Sequence, residues 1–267
     1  MFTSLPQGFH RALEKLRSSG RAVPLVDVAR DLLAIKGPIA VEVARQVVAA
    51  ALDHPPEALP EALDARHLRT GAEARVATVP LAEADFAVVD LETSGLSAER
   101  DRIIEIGAVR VSRLEAVDRF ETLLREPGAA PPSKKITALT GIDAALLSDA
   151  PPADRALAAF RRWLAAAPRA PFVAHNASFD ARFTQRALDA YGLPALRVPV
   201  LCTRKLARRI LPRLGRYDLD HLCAHFGIAN SARHRALGDA QATARALIEL
   251  LHEALATREV ASVGDLL

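Results

Sequence analysis

The chain has 267 residues, half of them hydrophobic and a quarter charged, with a formal net charge of +3. That length suits one large domain or a core domain with a small companion, and so small an excess of positive charge assigns no nucleic-acid role by composition alone. No apolar run approaches the roughly 20 residues that span a bilayer. Met1–Arg17 lacks the apolar stretch of a signal peptide, and Cys202 and Cys223 have neither CxxC spacing nor further partners. These features exclude a membrane-spanning helix, a zinc framework and a disulfide scaffold, and a cytoplasmic protein is expected.

The chain changes character near residue 80. Before it, helices are expected over Gln7–Ser18, Pro24–Ile35 and Ile39–Leu52. Val26, Val28, Ala29, Leu32 and Leu33 make one apolar stripe, and Val41, Val43, Ala44, Val47 and Val48 make another. Gly37-Pro38 is expected to end one helix and open the next. Residues 1–80 thus read as a small helical module with a helix-turn-helix outline that a wing could complete, and residues 81–267 as a second domain.

From Asp85 the pattern turns to β-then-α. Phe86–Leu91, Arg102–Val111 and Val117–Leu124 read as successive strands joined by tight turns, hence antiparallel neighbours. A proline-rich loop (Pro127, Pro131, Pro132) leads to a helix over Ala153–Ala166, a buried strand Phe172–His175, a helix Ser178–Tyr191 and a short strand Val198–Cys202. Helices Thr203–Leu211, Leu219–Phe226 and about Leu237–Ala256 complete the chain. Strands first and helices around them imply an α/β architecture with a mixed sheet.

Three segments carry chemistry. Asp90 and Glu92 end the first strand in Val-Val-Asp-Leu-Glu-Thr-Ser-Gly. Residues two apart on a strand share a face, so the two carboxylates repel unless a positive charge lies between them. A hard divalent cation is its natural occupant. Asp180 follows in Phe-Val-Ala-His-Asn-Ala-Ser-Phe-Asp, where Ser178 can cap the new helix and the helix dipole favours an acid in the first turn. That capping role accounts for Asp180 alone, but not for His175, Asn176 and Phe179 clustered beside it. The third segment is His234-Arg-Ala-Leu-Gly-Asp239. On a continuous helix, residues five apart diverge by roughly 140°, so the two side chains share a site only if His234 precedes the helix.

Together the three segments resemble the DEDDh exonucleases, the family of the proofreading epsilon subunit of bacterial DNA polymerase III. The first block departs slightly, with Leu91 and Ser94 where threonines are common. The second and third, His175-Asn-Ala-x-Phe-Asp180 and His234-x-Ala-x-x-Asp239, match without departure. Ile136–Ile142, with Thr140, is similar to the loop that lines the family's terminal-nucleotide pocket. The resemblance spans about residues 84 to 256 and leaves the N-terminal module unexplained.

It implies a ribonuclease-H-like fold, a five-stranded mixed sheet flanked by helices. It also implies two Mg²⁺ or Mn²⁺ ions, with Asp90 bridging them, Glu92 and Asp239 on the nucleophile side, and Asp180 serving the second. His234 would be the general base, a role that suits imidazole. Thr93 and Leu96 would meet the 3′-terminal nucleotide, Leu96 by wedging against bases, Thr140 would line its pocket, and Asn176 and Phe179 would support the nucleotide or the metal loop. Glu105, in Ile-Ile-Glu-Ile-Gly, is expected to give a positioning hydrogen bond rather than bind metal, and Trp163 to be core.

The implied substrate is a single-stranded or frayed 3′ end of DNA, or of RNA, and the implied partner a DNA polymerase or another replication or repair protein. With the chain ending at Leu267, a stand-alone repair or processing nuclease is expected as readily as polymerase attachment. An RNA 3′-end exoribonuclease is the alternative enzyme, and a non-catalytic DNA-binding or polymerase-accessory protein the alternative class. Lys134, Lys135, Arg182, Arg204, Lys205, Arg208 and Arg209 offer charges that could follow a phosphate backbone.

Overall fold

A computed structural model describes residues 23–35, 37–52, 56–59, 62–63, 76–230, 232–257 and 260–267. Its contacts divide the chain into two compact units, Met1–Arg75 and Val76–Leu267. The expected helix Gln7–Ser18 lies outside the described residues.

In the first unit, helix α1 (Leu25–Leu33) packs on helix α2 (Val41–Leu52) through Leu25, Val28, Ala29 and Leu32 against Ala44, Val48, Ala49 and Leu52. A two-residue antiparallel ladder joins Val23–Pro24 to Ala62–Leu63. Gly37 does not end α1. The chain leaves the helix at Ala34, whose left-handed backbone (φ 53°) lets its N–H return to the Arg30 carbonyl, a termination usually given to glycine.

The second unit is built on a five-stranded mixed sheet. Its strands are β1 (Asp85–Thr93), β2 (Ile103–Ser112), β3 (Glu115–Leu123), β4 (Phe172–Ala174) and β5 (Val200–Cys202), in the order β3-β2-β1-β4-β5. The first three are antiparallel neighbours, while β4 and β5 run parallel to β1. Only one of the two expected tight turns is tight. Arg113 and Leu114 join β2 to β3, both at positive φ (51° and 63°), the geometry that matches strand twist in a two-residue hairpin. Residues 94–102 form a longer loop between β1 and β2.

Strand alternation sorts the core into two layers. Ala87, Val89 and Leu91 of β1 and Ile106 and Ala108 of β2 face helices α5 (Ala153–Ala165) and α6 (Ala177–Ala190), meeting Leu157, Phe160 and Phe183. Phe86 and Val88 of β1, with Val109 and Val111 of β2, face the opposite layer. There Leu206 of α7 (Thr203–Ile210), Leu222 of α8 (Leu219–Phe226) and Leu247, Leu250 and Leu251 of α9 (Ala236–Ala256) close over them. Trp163 packs on Phe120 and Phe160 at the border of the first layer, its indole N–H donating to Asp118 at 2.8 Å.

Two elements depart from expectation. The segment around Ile136–Ile142 is not a loop: α3 (Lys134–Thr140) and α4 (Ala144–Ser148) occupy it, capped at their starts by Ser133 and Asp143. Ile136, Ile142 and Leu147 pin this strap onto Ile104 and Leu123. In α6 the helix begins at Ala177 with Asn176 at the N-cap and no side-chain cap bond, so Ser178 is not the cap. A short α10 (Val263–Leu266) closes the chain with a capping box made by Ser262 and Asp265.

Candidate active site

The alternation that fills the core also places the acids. Continuing the Phe86 and Val88 face along β1 brings Asp90 and then Glu92 onto the side covered by α9. Across the ladder they face Gly107 and Glu105 of β2. A register shift between Glu92 and Thr93 interrupts the regular pairing there, as bulges at functional edges often do. Because β1, β4 and β5 are parallel, the loops that follow β4 and β5 emerge at the same end of the sheet, and Asp180 enters from the first turn of α6.

Two glycines let α9 approach. At Gly107 a Cβ would overlap the backbone of Ala236 and Leu237, so the start of α9 lies directly on the strand opposite Asp90. At Gly238 a Cβ would collide with the Ala232 carbonyl, which lets the preceding loop fold over the first turn of the helix. Asp239 therefore reaches the acids from α9, and His234 from the loop before it. His234 has a left-handed backbone (φ 60°), which for a non-glycine residue costs about 1–3 kcal/mol. Its N–H donates to Asp239 Oδ2 at 3.0 Å, and Asn230 Nδ2 donates to Asp239 Oδ1 at 2.6 Å. Histidine and aspartate thus share the site in the way that five-residue spacing permits.

Asp180 and Asp239 are buried, and Asp90, Glu92 and His234 half-buried. The electrostatics show carboxylates short of counter-charge. Burial lifts Asp90 well above the usual carboxylate range, and Asp180, Asp239, Glu92 and Glu105 add to the rise. Burial also pushes Glu92 up to about 7, joined by Asp239, Glu105 and Asp180 and opposed by Arg235. Asp180 rises to about 7 through burial, with the backbone N–H groups of Asp180 and Leu91 pulling the other way. Buried carboxylates raised like this, Asp90 and Glu92 also by their acidic neighbours, make a set that a cation would suit. Glu92, His234 and Asp239 can each offer a ligand atom within 4.8 Å of the others, an oxygen and nitrogen set that suits a divalent ion. Asp90 and Asp180 lie outside that tightest group and join it through the coupling just described.

The other expected residues surround this centre unevenly. Thr93 is buried, its hydroxyl donating to the Gly95 carbonyl at 2.5 Å. Leu96 is 87% exposed on the loop that follows the acids. Asn176 is exposed, and Phe179 is half-buried against Phe183 with ring centres 4.7 Å apart. Thr140 is buried, and its hydroxyl is engaged locally, donating to the Ile136 carbonyl and accepting from the Ile142 N–H. It shapes the end of α3. His175 bonds Thr203 Oγ1 through Nδ1 at 3.0 Å, and burial lowers its pKa. The expected basic residues Lys134, Lys135, Arg182, Arg204, Lys205, Arg208 and Arg209 are all exposed. Sequence reasoning passed over Asn230, which lies outside the motif whose Asp239 it bonds, and Arg235, whose partner Glu105 is 130 residues away.

Comparison with known proteins bears directly on this centre. The sequence profile of the family RNase_T, described as exonuclease, matches residues 87–247. The chain belongs to this exonuclease family. That stretch contains Asp90, Glu92, Asp180, His234 and Asp239. Among curated relatives, the chain is 37% identical over 175 residues to the PolC-type DNA polymerase III of Bacillus cereus, and 40% identical over 171 residues to that of Caldanaerobacter subterraneus subsp. tengcongensis. Those alignments cover 66% and 64% of this chain but 12% of either polymerase. The fold is shared with E. coli exonuclease I in complex with a dT13 oligonucleotide, at TM-score 0.58 and 16% identity over 66% of this chain and 43% of the other. It is shared also with cell-death related nuclease 4, at TM-score 0.55 and 16% identity over 64% of each chain. Among the described residues no helix is long and apolar enough to cross a membrane.

Proposed function

We propose that the chain removes nucleoside 5′-monophosphates from the 3′ ends of single-stranded or frayed DNA in a metal-dependent reaction. The observation that carries this reading is the grouping of Glu92, His234 and Asp239, with Asp90 and Asp180 in electrostatic reach, drawn from β1, α6, α9 and the loop before α9. DNA rather than RNA is favoured by the relatives, which are DNA polymerases, and by the dT13 oligonucleotide held by the structurally similar exonuclease I. Association with a polymerase or another replication protein is part of the same proposal.

Asp90, Glu92 and Asp239 would hold one Mg²⁺ or Mn²⁺, and Asp90 with Asp180 a second. Such a pair stabilises the attacking and leaving oxygens of a phosphodiester. The chain's own groups do the rest. His234, half-buried at the rim and oriented by its backbone bond to Asp239, takes the proton of the attacking water. Leu96, exposed just beyond the acids, meets the terminal bases, and Thr93, Asn176 and Phe179 border the nucleotide on its other sides. Thr140 would act indirectly, by shaping the strap.

The test uses 5′-labelled and 3′-labelled single-stranded DNA and RNA, each with and without Mg²⁺. Release of mononucleotides from the 3′ end of DNA, abolished by EDTA and by Asp90→Ala or Asp239→Ala in folded protein, is expected. Full activity in EDTA or in Asp90→Ala would overturn the reading, and preference for RNA would replace DNA with RNA as substrate.

A further inference from the structure

One buried acid is not used by the reaction just described. Glu105 lies on β2 opposite Glu92, with its side chain fully buried. A carboxylate placed there beside Asp90 and Glu92 adds to the repulsion that raises both, so its presence calls for a compensating role. The hydrogen bonds supply one. Arg235 donates from Nε and Nη2 to Glu105 Oε1 at 3.0 and 2.6 Å, and from Nε to Oε2 at 3.3 Å. The Ala236 N–H donates to Oε2 at 2.8 Å. Both carboxylate oxygens are thus spent on the two residues that follow His234.

On the other flank of His234, Arg233 pairs with Asp220 of α8 at 2.5 Å. The histidine between these anchors has the left-handed backbone, and a strained conformation persists where its surroundings over-determine it. A fork-shaped guanidinium is well suited to fixing orientation as well as distance.

We propose that Glu105 and Arg235 are a positioning pair for the general base: they lock the turn between the His234 loop and α9, and so set where the imidazole stands relative to the acids. The inference rests on the reading of His234 as base. In this role neither residue acts on the substrate directly. Arg235 keeps a solvent-facing side, 42% exposed, although its truncation leaves the buried Glu105 carboxylate without its ion-pair partner. Glu105→Gln keeps an acceptor for the Ala236 N–H while removing the ion pair.

A double-mutant cycle with His234 tests it, with kcat measured on single-stranded DNA at saturating Mg²⁺ so that metal affinity does not enter. His234→Ala is expected to lower kcat by on the order of 100-fold. Arg235→Ala and Glu105→Gln are each expected to lower it roughly 10-fold at nearly unchanged KM, the signature of lost transition-state rather than ground-state binding. In the His234→Ala background the same substitutions are expected to cost less than about twofold, because residues that act through one another are not additive. Losses that multiply across the two backgrounds would overturn the positioning role, as would wild-type kcat in both single variants. His234→Ala at the wild-type rate would instead overturn the underlying reading of His234 as base. Thermal unfolding of Glu105→Gln near the wild-type midpoint is the expected control, and failure of this variant to fold would mark Glu105 as structural.

Discussion

The two sides of the proposed active site are held by different physics. Asp90 and Glu92 belong to a strand paired with β2 along its length, so main-chain hydrogen bonds and the buried Phe86 and Val88 beneath them fix where they point. His234 stands in no ladder. It is held by its own N–H on Asp239 and by side-chain ion pairs on either flank, Arg233 with Asp220 and Arg235 with Glu105. Removing an acid should therefore delete a chemical group and leave the frame intact. Disturbing the His234 side should move a group that is still present.

The sharpest way to break this contrast is the contact that joins the two sides. At Gly107 a Cβ would overlap the backbone of Ala236 and Leu237. Gly107→Ala should push α9 off β2, at a cost of about 1–3 kcal/mol of stability. A shift near 1 Å of a positioned group can lower turnover on the order of 100-fold. Thermal melts and single-turnover rates check this. An alanine variant as stable and as fast as wild type would show that the helix start is not seated on the strand.

A second test addresses the acid side alone. Burial pushes Glu92 and Asp180 up to about 7 and raises Asp90 as well, with repulsion from neighbouring acids adding to the rise of Glu92 and Asp90. The metal-free folded protein thus keeps protons that the unfolded chain releases near pH 4. Stability from these groups is complete below about pH 4 and is lost as pH climbs towards about 7. Two groups have the opposite sign: Asp218, held at about 2 mainly by its bond from His221, whose window closes below about pH 4, and His175, whose burial-lowered pKa adds stability as pH rises towards about 6.5 and offsets part of the fall. The melting midpoint of the metal-free protein should accordingly fall between about pH 5 and about pH 8. Saturating Mg²⁺ should flatten that slope, since ion binding replaces the protons. A midpoint that rises over this range without metal would contradict the repulsion.

The smallest effect belongs to the rim. Leu96 projects into solvent and packs on no core, so Leu96→Ala should leave folding unchanged. It should raise KM on single-stranded DNA by a few-fold, as expected where base contacts are worth about 1–3 kcal/mol at most. A changed kcat with unchanged KM would place Leu96 in the chemistry rather than in strand binding.

The contrast also describes what the sequence made legible. Period-two alternation put Asp90 and Glu92 on one face, and the five-residue spacing required His234 to precede its helix; both readings depend on local geometry. The helices α3 and α4 escaped because runs of seven and five residues are too short for a helical period to emerge. Their caps were nonetheless readable in Ser133, Asp143 and Gly141, the last left-handed at φ 72°. Asn176 and Ser178 offer similar capping chemistry two residues apart, and the helix starts after Asn176. Glu105 looked like a hydrogen-bonding acid, but its partner lies 130 residues away, and no pattern in one sequence pairs the two.

The outermost strand carries a different consequence. Among the described residues β3 pairs with β2 alone, and it bears Glu115, Asp118, Arg119 and Glu121 on its exposed stretch. An open strand edge is a template on which a second sheet can grow, and charged side chains discourage that growth because stacking identical strands brings like charges into line. These four residues thus act as a guard against self-association. Neutralising Glu115 and Arg119 would make colloidal solubility the property that changes, whereas Glu121 stands 3.9 Å from Arg235 and so reaches the margin of the proposed site.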